Sequence, residues 1–534
     1  MGNEEQNYIM KDIVFALNIV QYVDLECNLA TTSDFVAWFK AKPGTTFHND
    51  IEIQDLRGKG AGRGIVAKAD IPAETVLFTI PRQSIICTNT SGLVAKIPDV
   101  FTPPAEPEGD DTEDHDMDQN DHQCDHDHDH DHDHDDDHDE NDKAQDSWTS
   151  LILILIYEYL QGDSSPWKPY LDILPTVDQF GTPMFWTSEE LAELQASPVA
   201  SKVGRDEAEK MIRTKIVSVI KQHEDVFFPA PESQKMSEDE LVQLAFRTGS
   251  VIMAYAFDLE KDEDEESKDE DWEEEDEWVE DREGKTMLGM VPMADVLNAD
   301  AAFNAHIEHG EHALTATTLR PIAKGEEILN YYGPLSNGEL LRRYGYTTVT
   351  HRRWNLADLG WDSVWAGLKS EMPLKEKEWQ QVLETLDGDD ELEEGFIIDR
   401  GADDPDSEGR VSEVQKKAGV PEELLEQLKT AMKAIKKVRP DAVPDKTVRD
   451  RVMYSAIAKA LDERTKQYGT TLEQDLELYA VGSGNMDRRT MALDVRIGEK
   501  VLLKQASESV KAKLAELSES DRGGDKPSAK RRKM

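Results

Sequence analysis

Acidity concentrated in two tracts most limits how this chain can fold. Residues 105–142 hold 20 acidic side chains and no Lys or Arg, and residues 260–283 hold 17 acidic side chains against Lys261, Lys268 and Arg282. Such stretches offer too little apolar surface to offset the entropy of ordering them. Together they carry −34 of the formal net charge of −51, leaving −17 for the other 472 of 534 residues, an ordinary balance for two or three domains. The expected organisation is therefore a set of structured pieces interrupted by disordered acidic insertions at 105–146 and 260–283. An extension of uncertain structure at 1–30 and a basic disordered tail at 516–534 are expected at the two ends.

Cys27, Cys87 and Cys124 are few, odd in number and never in CxxC spacing, which excludes a disulfide scaffold and a Cys-rich zinc module. The longest apolar run, Leu151 to Tyr157, is far below the roughly 20 residues of a membrane span. No membrane partner is expected. Lys11 and Asp12 interrupt any secretory apolar core, so an intracellular protein is expected, and Lys530-Arg531-Arg532-Lys533 reads as a nuclear-localisation candidate beside the blander reading of a solvated basic terminus. The repeat of His126, His128, His130, His132 and His134 alternating with Asp has metal-ligating side chains but many equivalent weak arrangements, so no fixed metal site is expected. The acidic tracts read as solvated loops, with weak attraction for basic proteins as the functional alternative.

From Ile51 to Pro81 the pattern is one of strands and turns: a glycine-punctuated loop, Ile65-Val66-Ala67, a turn at Ile71 to Glu74, and Val76 to Ile80. A second strand–turn–strand unit runs from Leu314 to Tyr332, and its turn, Ile322 to Glu327, is of the same kind. Helical patterns cover 187–196, 204–224 and 237–257, and Ser147 is placed to cap a helix from Trp148 to Leu160. Beyond Tyr346 the character is helical, with Pro421 at a helix start and further helices over 448–468 and 490–514.

Three segments carry candidate chemistry. Gly58-Lys59-Gly60-Ala61-Gly62-Arg63-Gly64 matches neither GxGxxG nor GxxxxGK[ST] and opens a strand rather than a helix, so a phosphate-binding helix terminus is excluded. Closely spaced glycines still let backbone approach an extended ligand, and a flexible loop explains them equally well. Asp295 and Asn298 lie three apart in an apolar stretch where buried polar groups need partners, a capping pair being the plain alternative. Asn330-Tyr331-Tyr332-Gly333, with Tyr344-Gly345-Tyr346 beyond it, places tyrosines that either converge their hydroxyls or fill a core.

In this order the three segments resemble those of the SET-domain protein lysine methyltransferases. Gly62-Arg63-Gly64 resembles the first cofactor-binding turn, Asp295 to Asn298 the "NH" segment, and Asn330 to Gly333 with Tyr344 the catalytic tyrosine segment. The absence of a Cys-rich cluster after the tyrosines, with Trp167 to Leu171, Pro183 to Trp186, Val251 to Phe257 and Arg489 to Lys500, is similar to the Rubisco-methyltransferase-like group over about 31–515.

The resemblance implies an α+β fold: a SET-domain β-fold with an inserted helical region over 31–346, followed by an all-α substrate-binding domain over 347–515. It implies S-adenosyl-L-methionine as cofactor and transfer of one methyl group to a lysine of a non-histone protein, in fungi a large-subunit ribosomal protein. By the same resemblance Tyr332 and Tyr344 are catalytic. Gly62, Arg63, Gly64, Tyr255, Asp295, Asn298, Ala299 and Tyr344 bind cofactor, and Trp167, Phe257 and Asp258 bind substrate. Ala299 stands where the family usually has His. A monomer in the nucleus and cytoplasm, without direct nucleic-acid contact, completes the expectation. The competing class is a non-catalytic acidic interaction protein on a degenerate SET scaffold.

Overall fold

The computed structural model describes residues 29–57, 62–101, 137–229, 235–260, 286–386, 392–414, 416–482 and 487–523. Outside them lie the Asp-His repeat, nearly all of both acidic tracts, Cys27, Cys124, Gly58, Gly60 and the Lys530 to Lys533 cluster.

Two four-stranded sheets hold the β-rich part. The first has the order β1 (Thr46–Phe47), β4 (Val76–Pro81), β9 (Ala313–Thr318), β8 (Ala305–His309), and the second the order β2 (Ile51–Asp55), β3 (Arg63–Ala67), β10 (Glu327–Asn330), β7 (Asn298–Ala299). Each strand–turn–strand unit read from the sequence is divided between them. Strand β3 pairs with β10 through Ile65↔Ile328, and β4 pairs with β9 through Ile80↔Leu314. The two turns meet back to back at an Ile71↔Ile322 bridge, with both isoleucines buried. Because the turn isoleucines are drawn into the core, each chain corners there and its second strand leaves into the other sheet. Burial on β9 alternates, with Leu314, Ala316 and Thr318 inward, as one-sided sheet packing demands.

The inserted helices share the same apolar core as the sheets. Leu151 to Tyr157 are all buried, at most 6% exposed, so this run belongs to a helix enclosed on every side. That helix, Asp137–Leu160, opens ten residues before Ser147, inside the stretch expected to be disordered. Once a buried run nucleates a helix, extension costs little per residue. Ser147 is consequently no cap, and its hydroxyl accepts the Leu288 N–H at 3.3 Å. The Glu238–Tyr255 helix carries a capping box of Ser237 and Glu240 and stops two residues short of the expected end, where Ala256 turns extended. Phe257 and Asp258 thus sit on strand β5 (Ala256–Glu260), paired with Gly289 and Leu288 of β6 (Thr286–Met290).

A second core begins at Ala357 and runs to Val510. It is built by helices including Trp361–Glu371, Glu422–Val438, Lys446–Lys466 and Arg488–Gly523, to which a ribbon of β11 (Ala357–Gly360) and β12 (Gly395–Ile398) is added. The last helix continues to Gly523, so the first residues of the expected tail are helical. A buried charged network fastens this region to the insert. Asp475 meets Arg496 at 3.0 Å and Lys500 at 2.5 Å, Arg496 reaches Glu193, and Glu499 accepts from Ser197 and Tyr468 at 2.6 Å each.

Candidate active site

The site forms where β7 and β10 run parallel, Leu329 beside Asn298 and Asn330 beside Ala299. This pairing brings the 295–299 segment alongside the chain just ahead of Tyr332. The Tyr332 hydroxyl donates to the Leu297 carbonyl at 2.9 Å, and the Tyr346 hydroxyl donates to the Ala299 carbonyl at 3.1 Å. Between them stands Tyr344, its ring stacked on Tyr332 with centroids 4.8 Å apart and 6.3 Å from that of Tyr346. The Asn337–Tyr344 helix, capped by Ser336 and ended by Gly345 in the left-handed region, sets the last two tyrosines. All three residues are of intermediate burial.

Asp295 is the buried carboxyl of this cluster. Its Oδ2 accepts the Tyr170 hydroxyl at 2.5 Å, while Oδ1 is buried with no donor in good hydrogen-bond geometry among the described residues. Burial raises its pKa to about 7 against the opposing pull of the Tyr170 hydrogen bond and of the Met293 and Asp295 backbone amides. Met293, two residues before it, is fully buried at φ 85°, a strained conformation for a non-glycine residue. Tyr255 lies within electrostatic reach of Asp295, Arg63, Tyr170, Tyr332 and Tyr346, and burial pushes its hydroxyl up to about 12. Burial likewise raises Tyr332 well above the ordinary phenol range, so its proton stays on.

Of the other expected site residues, Gly64 is closely packed, since a Cβ there would lie 2.5 Å from the Leu56 side chain, 2.7 Å from that of Glu327 and 2.8 Å from that of Asn298. Gly62 is exposed with open space around it, and its carbonyl accepts the Leu56 N–H at 2.8 Å. Arg63 turns its side chain inward, to Thr32 at 3.0 Å and the Ile173 carbonyl at 2.8 Å, and burial lowers its pKa. The Asn298 amide donates to the Arg63 carbonyl at 3.1 Å and to Glu327 at 2.7 Å, fastening the glycine turn to β10. Ala299 is buried and offers its backbone carbonyl to Tyr346, a contact that does not depend on its side chain. Trp167 is buried in the main core and donates its indole N–H to Ser84 at 2.9 Å. Phe257 is half-buried, and Asp258 is exposed, its charge acting on Tyr344. Tyr170 and Tyr346 were not singled out from sequence as site residues, although the repeated Tyr344-Gly345-Tyr346 carried a signal. Among the described residues no group of three or more His, Cys, Asp or Glu is arranged to hold a metal ion.

The profile of the SET domain matches residues 62–333, just over half of the chain. The chain belongs to the SET-domain family. A second profile, that of the Rubisco LSMT substrate-binding domain, matches residues 415–503, so Tyr344 and Tyr346 of this SET-domain protein fall between the two matched segments. It is 28% identical over 340 residues to ribosomal lysine N-methyltransferase 4 of Saccharomyces cerevisiae, covering 63% of this chain and 60% of that protein. It is 27% identical over 327 residues to N-lysine methyltransferase SETD6 of Bos taurus, covering 59% and 57%. The matched region thus spans less than two thirds of the length of either relative. In fold it is similar to the SET domain of LSMT bound to lysine and AdoHcy, with a TM-score of 0.57 and 17% identity over 94% of this chain and 97% of that one. Rubisco LSMT bound to AdoMet gives a TM-score of 0.55 at 18% identity, over 94% and 97%.

Proposed function

We propose that this SET-domain protein is a protein-lysine N-methyltransferase using S-adenosyl-L-methionine, and that it adds one methyl group to a lysine of a large-subunit ribosomal protein. The observation that carries the reading is the pair of tyrosines, Tyr332 and Tyr346, bonded to the Leu297 and Ala299 carbonyls with Tyr344 stacked on Tyr332, beside a buried carboxyl. The cofactor, when bound, supplies a methyl group activated on a sulfonium. The residues present fit a cation there, because Asp295 is a buried carboxyl whose Oδ1 has no donor in good hydrogen-bond geometry among the described residues, and the surrounding rings offer aromatic faces. Asp295, Tyr255 and the backbone around Gly64 and Ala299 would hold it.

Tyr332 has its proton committed to the Leu297 carbonyl, so its oxygen presents only lone pairs to an incoming amine. An amine N–H accepted there is oriented with its own lone pair turned away, along the line of attack. Because burial keeps Tyr332 protonated, it positions the amine rather than taking its proton. Poorly hydrated aromatic walls disfavour the ammonium and favour the neutral amine that the reaction needs. Tyr344, stacked on Tyr332, fixes the width of the channel and so the number of methyl groups admitted.

The ribosomal substrate is supported by the name of the yeast relative, and nuclear and cytoplasmic residence by the basic cluster at Lys530 to Lys533 and by the nature of that substrate. Purified protein given labelled cofactor and large-subunit ribosomal proteins is expected to label one lysine with a single methyl group. Binding of those proteins without transfer would instead favour the non-catalytic interaction protein.

A further inference from the structure

The Asn337–Tyr344 helix, which carries Tyr344, is seated on the C-terminal region. Its Leu341 is buried in a small apolar cluster with Met491 and Val495 of the Arg488–Gly523 helix and Val199 of the insert. Apolar contact has no preferred direction and by itself lets such a seat slide.

Direction comes from Asn337, the first residue of the tyrosine helix, which is fully buried. Its Oδ1 accepts the Thr348 N–H at 3.0 Å and its Nδ2 donates to the Thr348 carbonyl at 2.9 Å, closing a loop on which both Tyr344 and Tyr346 lie. Nδ2 also donates to Oδ2 of Asp494, on the C-terminal helix, at 3.1 Å. The Asn337 backbone N–H goes to Asn355 Oδ1 at 3.2 Å, and Gly498 of the C-terminal helix makes room for that amide, since a Cβ there would lie 2.0 Å from it. On its other side Asp494 Oδ1 accepts from Arg352 at 2.8 Å.

The chain beyond the tyrosine helix is thereby held at every second residue. The Tyr346 hydroxyl donates to the Ala299 carbonyl, Thr348 is clasped by Asn337, the Thr350 hydroxyl donates to the Asp300 carboxylate at 2.6 Å, and Arg352 reaches Asp494. Two of these holds end on Ala299 and Asp300 at the site. The other two lead to Asp494, one of them through Asn337. Asp494 is 1% exposed, and a carboxylate so placed carries a desolvation cost that an apolar residue would not. What it adds is a filled hydrogen-bond network, which holds one arrangement where apolar packing tolerates several.

We infer that Asp494 is a positioning residue for methyl transfer, acting through Asn337 and Arg352 to set where Tyr344 and Tyr346 stand. The inference rests on the methyltransferase reading above and gives a residue of the C-terminal region a part in the transfer step. Tyr344 is stacked on Tyr332, so a shift of its helix moves the wall beside the reacting amine.

The test uses the full chain with Asp494→Asn, which keeps the size of the side chain but turns an N–H₂ group toward one of its two donors. Steady-state kcat and KM are measured with labelled cofactor on large-subunit ribosomal proteins and on a short peptide around the labelled lysine. The expected result is a kcat at least about tenfold lower on both substrates, with KM for each and cofactor affinity nearly unchanged. Asp475→Asn is the comparison, because Asp475 is bonded to Thr470, Arg496 and Lys500 of the same region. Assayed below its melting temperature, it should keep kcat within about threefold of the original. Arg352 is 37% exposed and tolerates substitution more readily, so Arg352→Gln, which also loosens Asp494, should lower kcat in the same way and decides the matter if Asp494→Asn does not fold. An unchanged kcat in either folded variant overturns the inference. So does a loss confined to KM for the whole ribosomal protein, which makes Asp494 a docking residue, or an equal loss of kcat in Asp475→Asn, which makes the effect a general loosening. Each of these leaves the methyltransferase reading standing, whereas absence of lysine methylation by the original chain removes that reading and the inference with it.

Discussion

Asp295 is the residue whose charge state decides most at the site, because its carboxyl is buried and its Oδ1 has no donor in good hydrogen-bond geometry among the described residues. Its pKa is raised to about 7, so it is protonated below neutrality and ionised above it. A sulfonium favours the ionised form. Affinity for S-adenosylmethionine should therefore rise with pH up to about 7, by as much as tenfold per pH unit, and then level off. AdoHcy, which lacks the sulfonium charge, should show a much flatter profile. Calorimetric titration of both ligands between pH 5.5 and about 8.5 reads the difference, and parallel profiles would detach Asp295 from the sulfonium. Asp295→Asn should flatten the S-adenosylmethionine profile. The sequence showed Asp295 as a polar residue in an apolar stretch, yet its partner Tyr170 lies 125 positions away and only the fold joins them.

At the scale of elements, the turn that ends the Asn337–Tyr344 helix is the joint on which the tyrosine arrangement depends. Gly345 sits at φ +79°, and a Cβ there would lie 2.7 Å from the Gly181 and Thr182 backbone, which has no flexible end to move aside. Gly345→Ala should therefore cost at least about 2 kcal/mol in urea unfolding and displace Tyr344 and Tyr346 together. Gly62→Ala, with open space around it, should leave stability within about 0.5 kcal/mol, and an equal cost for the two would show that Gly345 is not so constrained. The strands themselves were legible, since β3, β4, β9 and β10 fall where β-branched runs and turns placed them. Their pairing was not. Two similar turns can each close a hairpin or meet back to back, and local sequence does not distinguish these, because the choice rests on burying Ile71 against Ile322. Helix ends misled where tertiary contact decided them, as at Ser147, which serves Leu288, and at Phe257, which the β6 strand draws into a ribbon. Arg63 and Asn298 are expected from sequence as cofactor-binding residues, and their side chains tie elements together.

For the molecule as a whole, two cores are joined through the insert and the C-terminal region. The buried Asp475, Arg496 and Lys500 network joins the last two helices to Glu193 of the insert. Asp475→Asn removes the carboxylate shared by Lys500 and Arg496, leaving Arg496 with Glu193 alone, and should cost roughly 3–5 kcal/mol, seen as a lowered melting temperature and earlier proteolysis between insert and C-terminal region. A change below about 1 kcal/mol would show the network to be peripheral to stability. In the proposed function the tyrosine cluster positions a lysine amine for methyl transfer, with the Tyr332 oxygen as the orienting group. Tyr332→Phe keeps the ring stacked on Tyr344 and removes only that oxygen. The most direct measurement is single-turnover methyl transfer from labelled S-adenosylmethionine to large-subunit ribosomal proteins by the original chain and by this variant. The expected result for the variant is a rate at least about a hundredfold lower, roughly 2.7 kcal/mol in the barrier, with cofactor affinity and melting temperature nearly unchanged. A folded Tyr332→Phe protein that transfers methyl groups within threefold of the original rate would contradict it.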